Sequence, residues 1–311
     1  MAVSPPILAL IGPTASGKSA LALHLAEQVG AEIFSADSMQ VYRGMDIGTA
    51  KPTVDEQRRV RHHLIDVVEP TEQFTVARFV ESADAIIADA RARGDPLIAT
   101  GGTPLYYKAL FEGMFEGPPG NETLRAQLRA KSGEELHRRL AAVDPAAAQR
   151  IHANDQKRLI RALEVHALTG QTISSMQTER AEPEPRHEAL WVGLHWEKEA
   201  LNRRINGRVR DMIAAGWIDE TRQLLARHGT LSRTAAEATG YHELIEHLHA
   251  RLSLDDAIEQ IKIATRQLAR RQIKWFRRFR DVRWVAGEMP LEQQAEQVLR
   301  MWRETSTGSG T

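Results

Sequence analysis

The apolar run Ile7-Leu8-Ala9-Leu10-Ile11 passes directly into Gly12-Pro13-Thr14-Ala15-Ser16-Gly17-Lys18-Ser19, and this junction constrains the fold more than any other stretch. A short, continuously apolar run has the pattern of a strand covered on both faces. Glycine, four residues, then Gly-Lys-Ser is the spacing of a phosphate loop. Its glycines let the backbone curl until successive N–H groups point at one anion. Ala20, Leu21, Leu23, Leu25 and Val29 then recur at near-helical spacing up to Gly30, so a helix follows and adds the positive end of its dipole. Lys18 supplies a point charge to the phosphates, and the hydroxyl of Ser19 is placed to ligate a magnesium ion. Residues Gly12, Pro13, Thr14, Ala15, Ser16, Gly17, Lys18 and Ser19 are therefore assigned to a bound phosphate group.

The alternation continues beyond this unit. Residues 31–36 read as a second strand ending at Asp37-Ser38, residues 63–68 as a third, and residues 96–100 as a fourth ending in Gly101-Gly102-Thr103. Between the last two, Thr75 caps a helix whose Val76, Phe79, Val80, Ala83, Ile86, Ile87 and Ala90 form one apolar stripe, closed by Gly94. Strands alternating with helices in this way imply an α/β fold, a phosphate-loop parallel sheet flanked by helices. At Gly117-Pro118-Pro119-Gly120 the texture changes to short, arginine-rich helices, and Glu182-Pro183-Glu184-Pro185 punctuates their end. Strand character resumes over 189–196 and returns briefly over 282–285. The division expected is a core over 1–117 and 190–290, with a helical insertion over 118–189. Residues 291–311 then form a C-terminal helix and a disordered tail from Thr305 onward.

Composition sets outer limits. The chain has 311 residues, 42% of them apolar, which suits a buried core and excludes general disorder. Cysteine is absent, so disulfides and thiolate metal sites are excluded and a reducing, cytoplasmic setting is expected. No apolar run is long enough for a signal peptide or a membrane span. The 41 basic and 41 acidic residues balance, so affinity for nucleic acid must come from local clusters. One such cluster runs over 262–283, where Lys262, Arg266, Arg270, Arg271, Lys274, Arg277, Arg278, Arg280 and Arg283 face Asp281 alone. With Trp275 and Phe276 interleaved, and read as one helix, it suits phosphate contact and base stacking, or else forms an ordinary solvated basic face. In the insertion, Lys157, Arg158 and Arg161 follow an expected Asn154 cap on one helix face. No histidines pair at metal-ligand spacing with carboxylate support.

A phosphate loop does not name a reaction, because kinases, nucleotide hydrolases and diphosphate-releasing transferases all use one. Discriminating groups lie at the carboxyl ends of the other strands. Asp37 there could hold a metal, accept a proton, or serve only as a turn residue. Thr103 could equally be the N-cap of the helix that follows.

Together these segments resemble the tRNA dimethylallyltransferases, also called tRNA isopentenyltransferases. The resemblance rests on the phosphate loop and on Ser35-Ala36-Asp37-Ser38-Met39-Gln40-Val41-Tyr42. It continues through Met45-Asp46-Ile47-Gly48-Thr49-Ala50-Lys51-Pro52, His62-His63-Leu64-Ile65-Asp66, and Gly101-Gly102-Thr103 with Tyr106. It then takes in Asn154-Asp155 with Arg158, Arg161-Ala162-Leu163-Glu164, Gly240-Tyr241, and Thr265 to Gln272 with Trp275. One departure is that Gly240-Tyr241 lies between Glu237 and His242, where many relatives carry an arginine beside the pair.

The resemblance implies transfer of a dimethylallyl group from dimethylallyl diphosphate to N6 of the adenine beside the anticodon's 3′ end in tRNA. It makes Asp37 the base that takes the amine proton, with Thr103 near the reacting atoms and Lys18 on the departing diphosphate. The loop then takes the prenyl donor's diphosphate in place of ATP. Asp37, Ser38, Met39, Gln40 and Thr103 are expected at the extruded base. Arg125, Lys157, Arg158, Arg161, Gly240, Tyr241, Arg270, Arg271, Gln272, Lys274, Trp275 and Arg277 are expected on the tRNA anticodon arm. Mg2+ as cofactor and a monomeric enzyme complete the expectation. The competing readings are a small-molecule or nucleotide kinase, which leaves the basic cluster without a task, and a non-enzymatic RNA-binding protein, which leaves the phosphate loop idle.

Overall fold

A computed structural model describes residues 6–113, 117–178 and 185–308 and divides the chain into two compact units. The first comprises residues 1–111 and 187–311, the second residues 112–186. Six strands, β1 (Ile7–Ile11), β2 (Glu32–Ser35), β3 (His62–His63), β4 (Leu97–Thr100), β5 (Ala189–His195) and β6 (Arg283–Ala286), form one sheet in the first unit. The spatial order is β3-β2-β4-β1-β5-β6, and every pairing is parallel. β1 lies at the centre, so the loop that leaves its carboxyl end opens at the middle of the sheet edge where open α/β folds bind ligands.

In chain order the helices of this unit begin with α1 (Lys18–Val29), α2 (Val54–Arg59), α3 (Val76–Arg93) and α4 (Pro104–Tyr107). A π-helical stretch, Lys108–Glu112, continues α4. The second unit holds α5 (Glu122–Arg129), α6 (Gly133–Val143), α7 (Pro145–Arg150), α8 (Gln156–Thr169) and α9 (Ile173–Thr178). The first unit resumes with α10 (Lys198–Ala214), α11 (Trp217–His228), α12 (Arg233–Ala236), α13 (Tyr241–Leu248), α14 (Leu254–Phe276) and α15 (Leu291–Gly308).

Period-two alternation divides the sheet between two cores. Ile7, Ala9 and Ile11 join Phe34 and Ala99 on one face, where Phe79, Ala83, Ile87 and Ala90 of α3 cover them. Leu8, Leu10, Ile33 and Ile98 point to the other face, against Leu21 and Leu25 of α1 and Val298 and Trp302 of α15. Each of these large side chains contributes about 1.5–3 kcal/mol by leaving water. The second unit packs separately around Leu136, Leu140, Leu159 and Leu163.

Several expectations are corrected. The third strand stops after His63, because Leu64 (φ 62°) and Asp66 (φ 55°) adopt left-handed backbone that a ladder cannot continue. Val67 and Val68 instead donate to the Val41 carbonyl, and Tyr42 bridges Val68. The basic stretch 262–283 is not one helix: α14 ends at Phe276, Asp281 turns with φ 57°, and Arg283 opens β6. Asp155, not Asn154, caps α8 by accepting from the Arg158 N–H. The end of the chain is helical to Gly308, past the Thr305 start of the expected tail. Of the punctuation Glu182-Pro183-Glu184-Pro185, only Pro185 falls within the described residues.

Gly240 precedes α13 with φ 92°, and a Cβ there would lie 1.9 Å from Cη2 of the buried Trp217. Both the left-handed backbone and the collision penalise any side chain. Gly240→Ala is expected to cost about 3 kcal/mol, the sum of overpacking and backbone strain. Urea denaturation checks this; an unchanged midpoint would mean that Trp217 yields freely.

Candidate active site

The phosphate loop is built as strand–turn–helix and fastened from three sides. Ser16 N–H donates to the Pro13 carbonyl at 3.2 Å, and Gly17, with φ 95°, turns the chain into α1. From the segment after β5, Trp196 Nε1 donates to the Ser16 carbonyl at 2.9 Å. From α10, Arg204 Nε donates to the Ala15 carbonyl at 2.9 Å while its guanidinium lies over the Trp196 ring, 4.4 Å from the centroid. From α14, Gln272 Oε1 accepts from the Thr14 N–H at 2.8 Å. These contacts occupy the outward carbonyls and the Thr14 N–H, and leave the loop's inner amides to form an anion cradle.

Lys18 and Ser16 are buried, and Ser19 is exposed. Lys18 Nζ donates to the Pro13 carbonyl at 3.3 Å. The Ser16 hydroxyl has no hydrogen-bond partner although it is buried, a polar group held in reserve at the loop. A pocket of about 460 Å³ runs along the cradle and is lined by Ser16, Gly17, Lys18 and Ser19 with Arg204, Arg208 and Asp211 of α10. That volume suits a small organic ligand. Burial, together with the neighbouring Arg208 charge, lowers the Lys18 pKa to about 8, against the raising effect of Asp37. Burial also depresses Arg208, again opposed by Asp37. Two desolvated cations beside one loop are an arrangement that a polyanion relieves.

Asp37 follows β2 and Gly102 follows β4, so parallel pairing of those strands brings them side by side. Asp37 Oδ1 accepts from the Met39 N–H at 2.9 Å, and Oδ2 accepts from the Gly102 N–H at 3.2 Å. A carboxylate offers about four lone-pair sites, so capacity for a further proton donor remains. Gln272 closes the circuit, since its Nε2 donates to the Gly102 carbonyl at 2.7 Å while its Oε1 holds the phosphate loop. One buried amide thus links Thr14, Gly102 and, one peptide further, Asp37. Gln272 is in consequence a strut inside the protein; it is only 5% exposed.

Thr103 occupies the N-cap position of α4 but makes no capping bond. Its hydroxyl accepts from the Ser38 N–H at 2.9 Å and donates to Ser38 Oγ at 3.1 Å, so it serves the Asp37 turn. Tyr106 lies nearby, and burial plus the Asp37 charge push its phenol well up. Gln40 accepts from Ser35 Oγ at 2.8 Å and spends both amide hydrogens on the carbonyls of Thr49 (3.2 Å) and Ala50 (3.1 Å). Only acceptor capacity is left for a ligand. Met39 is half-buried against the first core.

The remaining candidates fall into three groups. Arg270, Arg271, Lys274 and Arg277 are exposed near the end of α14 and pair with no described carboxylate, while Trp275 is half-buried with Arg278 over its ring at 5.8 Å. Gly240 and Tyr241 are both buried, and the Tyr241 hydroxyl donates to Glu220 Oε1 at 2.7 Å. In the second unit, Lys157 and Arg158 are exposed, and Arg158 pairs with Asp155. Arg125 and Arg161 both turn onto the fully buried Glu164, at 2.8 and 2.7 Å. Burial alone would raise the Glu164 pKa, but the hydrogen bonds from Arg125 and Arg161 hold it below the ordinary carboxylate value. These two arginines neutralise an interior acid, while Lys157 and Arg158 stay exposed.

Sequence reasoning missed Arg204, Arg208 and Glu220. Nothing in their local sequence marks them, because the loops they serve lie far away along the chain.

Comparison with known proteins gives a concordant result. Residues 40–279 match the family model described as IPP transferase. A tRNA dimethylallyltransferase of Geobacter metallireducens is 49% identical over 278 residues, covering 88% of this chain and 90% of that protein. One from Symbiobacterium thermophilum is 45% identical and covers 96% and 95%. Among solved structures, the tRNA isopentenylpyrophosphate transferase of Bacillus halodurans is 35% identical with a TM-score of 0.73, covering 99% of this chain and all of that one. A eukaryotic dimethylallyltransferase acting on tRNA is 28% identical with a TM-score of 0.82, covering 95% of this chain and 78% of that one. With agreement in sequence, fold and extent over nearly its whole length, the chain belongs to the IPP transferase family.

Proposed function

We propose that this protein transfers the dimethylallyl group of dimethylallyl diphosphate to N6 of the adenine 3′-adjacent to the anticodon in tRNA, releasing diphosphate. The observation that carries the reading is the continuous link from the phosphate loop through Gln272 and Gly102 to Asp37. It ties an anion cradle to a carboxylate on one edge of one sheet. The name of the curated relatives, tRNA dimethylallyltransferase, supports the choice of donor and acceptor.

The chemistry needs both parts. An exocyclic adenine amine is a weak nucleophile because its lone pair is delocalised into the ring. As N6 bonds to the allylic carbon, the carbon–oxygen bond to diphosphate breaks and its electron pair leaves with the phosphate. The N6 proton passes to Asp37, whose two accepted N–H bonds hold the carboxylate at a fixed orientation. Charge growing on the departing oxygens meets the inner loop amides, Lys18 and Arg208, groups oriented before the reaction begins. Thr103 keeps Ser38 and the Asp37 turn in register. The adenine must leave its stack to reach this edge, at a cost of a few kcal/mol.

Among the described residues no group of three or more His, Asp or Glu side chains could hold a metal ion, so these residues supply no closed cage. The exposed Ser19 hydroxyl at the start of α1 fits a magnesium ion carried chiefly by diphosphate oxygens, which would supply further neutralisation of the leaving group. The exposed basic end of α14 is assigned to tRNA phosphates, and the acting form is taken to be a monomer. No described helix is long and apolar enough to cross a membrane.

Radiolabelled dimethylallyl diphosphate and unmodified tRNA, incubated with the protein and Mg2+ in the absence of ATP, test the reading. Label is expected in tRNA, on N6 of the adenine beside the anticodon. Turnover of ATP with a small phosphoryl acceptor and no label in tRNA would establish a kinase instead.

A further inference from the structure

Glu220 of α11 has no assigned task, yet four donors converge on its carboxylate. Oε2 accepts from the Asp46 N–H at 2.9 Å and the Ile47 N–H at 2.7 Å, and Oε1 accepts from the Gly48 N–H at 3.4 Å and the Tyr241 hydroxyl at 2.7 Å. Three successive backbone amides pointing at one acceptor form an anion nest, here filled by the protein's own carboxylate. The turn lies against the ring pair behind it. A Cβ on Gly48 would sit 2.2 Å from Trp217 Nε1 and 2.5 Å from Tyr241 Cε2, and those rings meet edge to face at 5.5 Å. The far end of the turn is fixed by buried Lys51, whose Nζ reaches Asp46 and Asp66 at 2.5 Å each and the Tyr42 carbonyl at 2.8 Å.

We propose that Glu220 is a positioning residue for prenyl transfer: by clamping the turn of residues 46–50 it fixes Gln40, and through Gln40 the Asp37–Gln40 segment that meets the target adenine. The link from turn to segment is direct, because the Thr49 and Ala50 carbonyls take both amide hydrogens of Gln40. Gln40 Oε1 is held in turn by Ser35 at the end of β2, two residues before Asp37. Tyr241 shares the task as a donor to Glu220, which gives the buried Gly240-Tyr241 pair a role in the site. The phosphate loop is fastened separately, by Trp196, Arg204 and Gln272. Loosening the clamp therefore acts on the acceptor side of the reaction and leaves the donor side alone.

This rests on the functional reading above, and the test separates the two. Glu220→Gln turns an amide NH2 toward two of the four donors, so the nest loses its fit. Single-turnover transfer at saturating dimethylallyl diphosphate is expected to fall about tenfold in Glu220→Gln and about threefold in Tyr241→Phe, the loss of one neutral donor. Calorimetric affinity for dimethylallyl diphosphate should stay within about twofold of wild type in both, as expected when distant sites are independent. The decisive variant combines Glu220→Gln with Gln40→Ala. If Glu220 acts through Gln40, the double variant is no slower than Gln40→Ala alone. A wild-type chain that transfers nothing sinks the functional reading and this proposal together. Should wild type transfer while Glu220→Gln matches its rate, weakens donor binding in parallel, or multiplies with Gln40→Ala, the proposal alone is overturned. If Glu220→Gln does not fold, an unchanged rate in Tyr241→Phe overturns it equally.

Discussion

Asp37→Ala is expected to slow prenyl transfer by roughly a hundred- to ten-thousand-fold, the range that a positioned general base contributes. The residue sits at the carboxyl end of β2 with each carboxylate oxygen already accepting one N–H, from Met39 and from Gly102. Removing it strips the acceptor for the N6 proton and leaves two amides without a partner, so the turn itself loosens. Donor binding should survive, because the cradle is held by Trp196, Arg204 and Gln272 and not by Asp37. Affinity for tRNA, which rests on exposed basic side chains, should remain within a few-fold. Rapid-quench transfer, with filter binding of tRNA and calorimetry of the donor, checks all three. Near-normal turnover in this variant would remove Asp37 from the chemistry and leave the carboxylate as a turn former. Asp37→Asn separates shape from charge: its carbonyl can still serve Met39, while its amide faces the Gly102 N–H and can accept no proton. Transfer should be lost there as well.

How much of this could be read from residues alone follows from how local each determinant is. The apolar pentapeptide, the loop and α1 lie within 23 residues, and α3 declares its buried stripe and both caps within 20, so periodicity and capping rules identify them. Residues 63–68 fail the same test. Their pattern is apolar and strand-like, but Leu64 and Asp66 adopt positive φ to bring Asp66 to Lys51. That is a tertiary demand invisible to alternation. Charge misleads for a related reason. Arg125, Arg158 and Arg161 look alike in sequence, yet a single buried acid, Glu164, captures the first and third. Gln272 was legible as a member of a basic helix, and its actual use, facing 258 residues back along the chain to Thr14, was not. Glu220 was silent for the same cause: its three backbone amide partners lie 172 to 174 residues away. The phosphate loop and the residues at the strand ends were therefore readable, and the distant side chains that hold them in place were not.

Lys18→Ala is expected to weaken dimethylallyl diphosphate binding by about 2–5 kcal/mol, the cost of truncating one member of a buried, hydrogen-bonded charge pair. Turnover should fall with it, since the same ammonium neutralises the leaving group. The pH dependence carries a sharper signature. With its pKa lowered to about 8 by burial and by Arg208, the free protein's Lys18 loses its proton over a range where an ordinary lysine stays charged. Diphosphate favours the ammonium, so above about pH 8 binding must take up a proton, and donor affinity should decline as pH rises further. In the absence of donor the sign reverses. Between about pH 8 and 10.5 the unfolded chain holds the Lys18 proton more tightly than the native one does, so this residue makes stability rise with pH across that window. Calorimetry in buffers of different ionisation enthalpy measures the proton uptake, and Lys18→Met should abolish it together with the residue's part of the stability slope. Donor affinity that stays level through pH 9, or that is unaltered in Lys18→Ala, would place the diphosphate elsewhere. The cradle, and with it the leaving-group half of the proposed reaction, would then have to be abandoned.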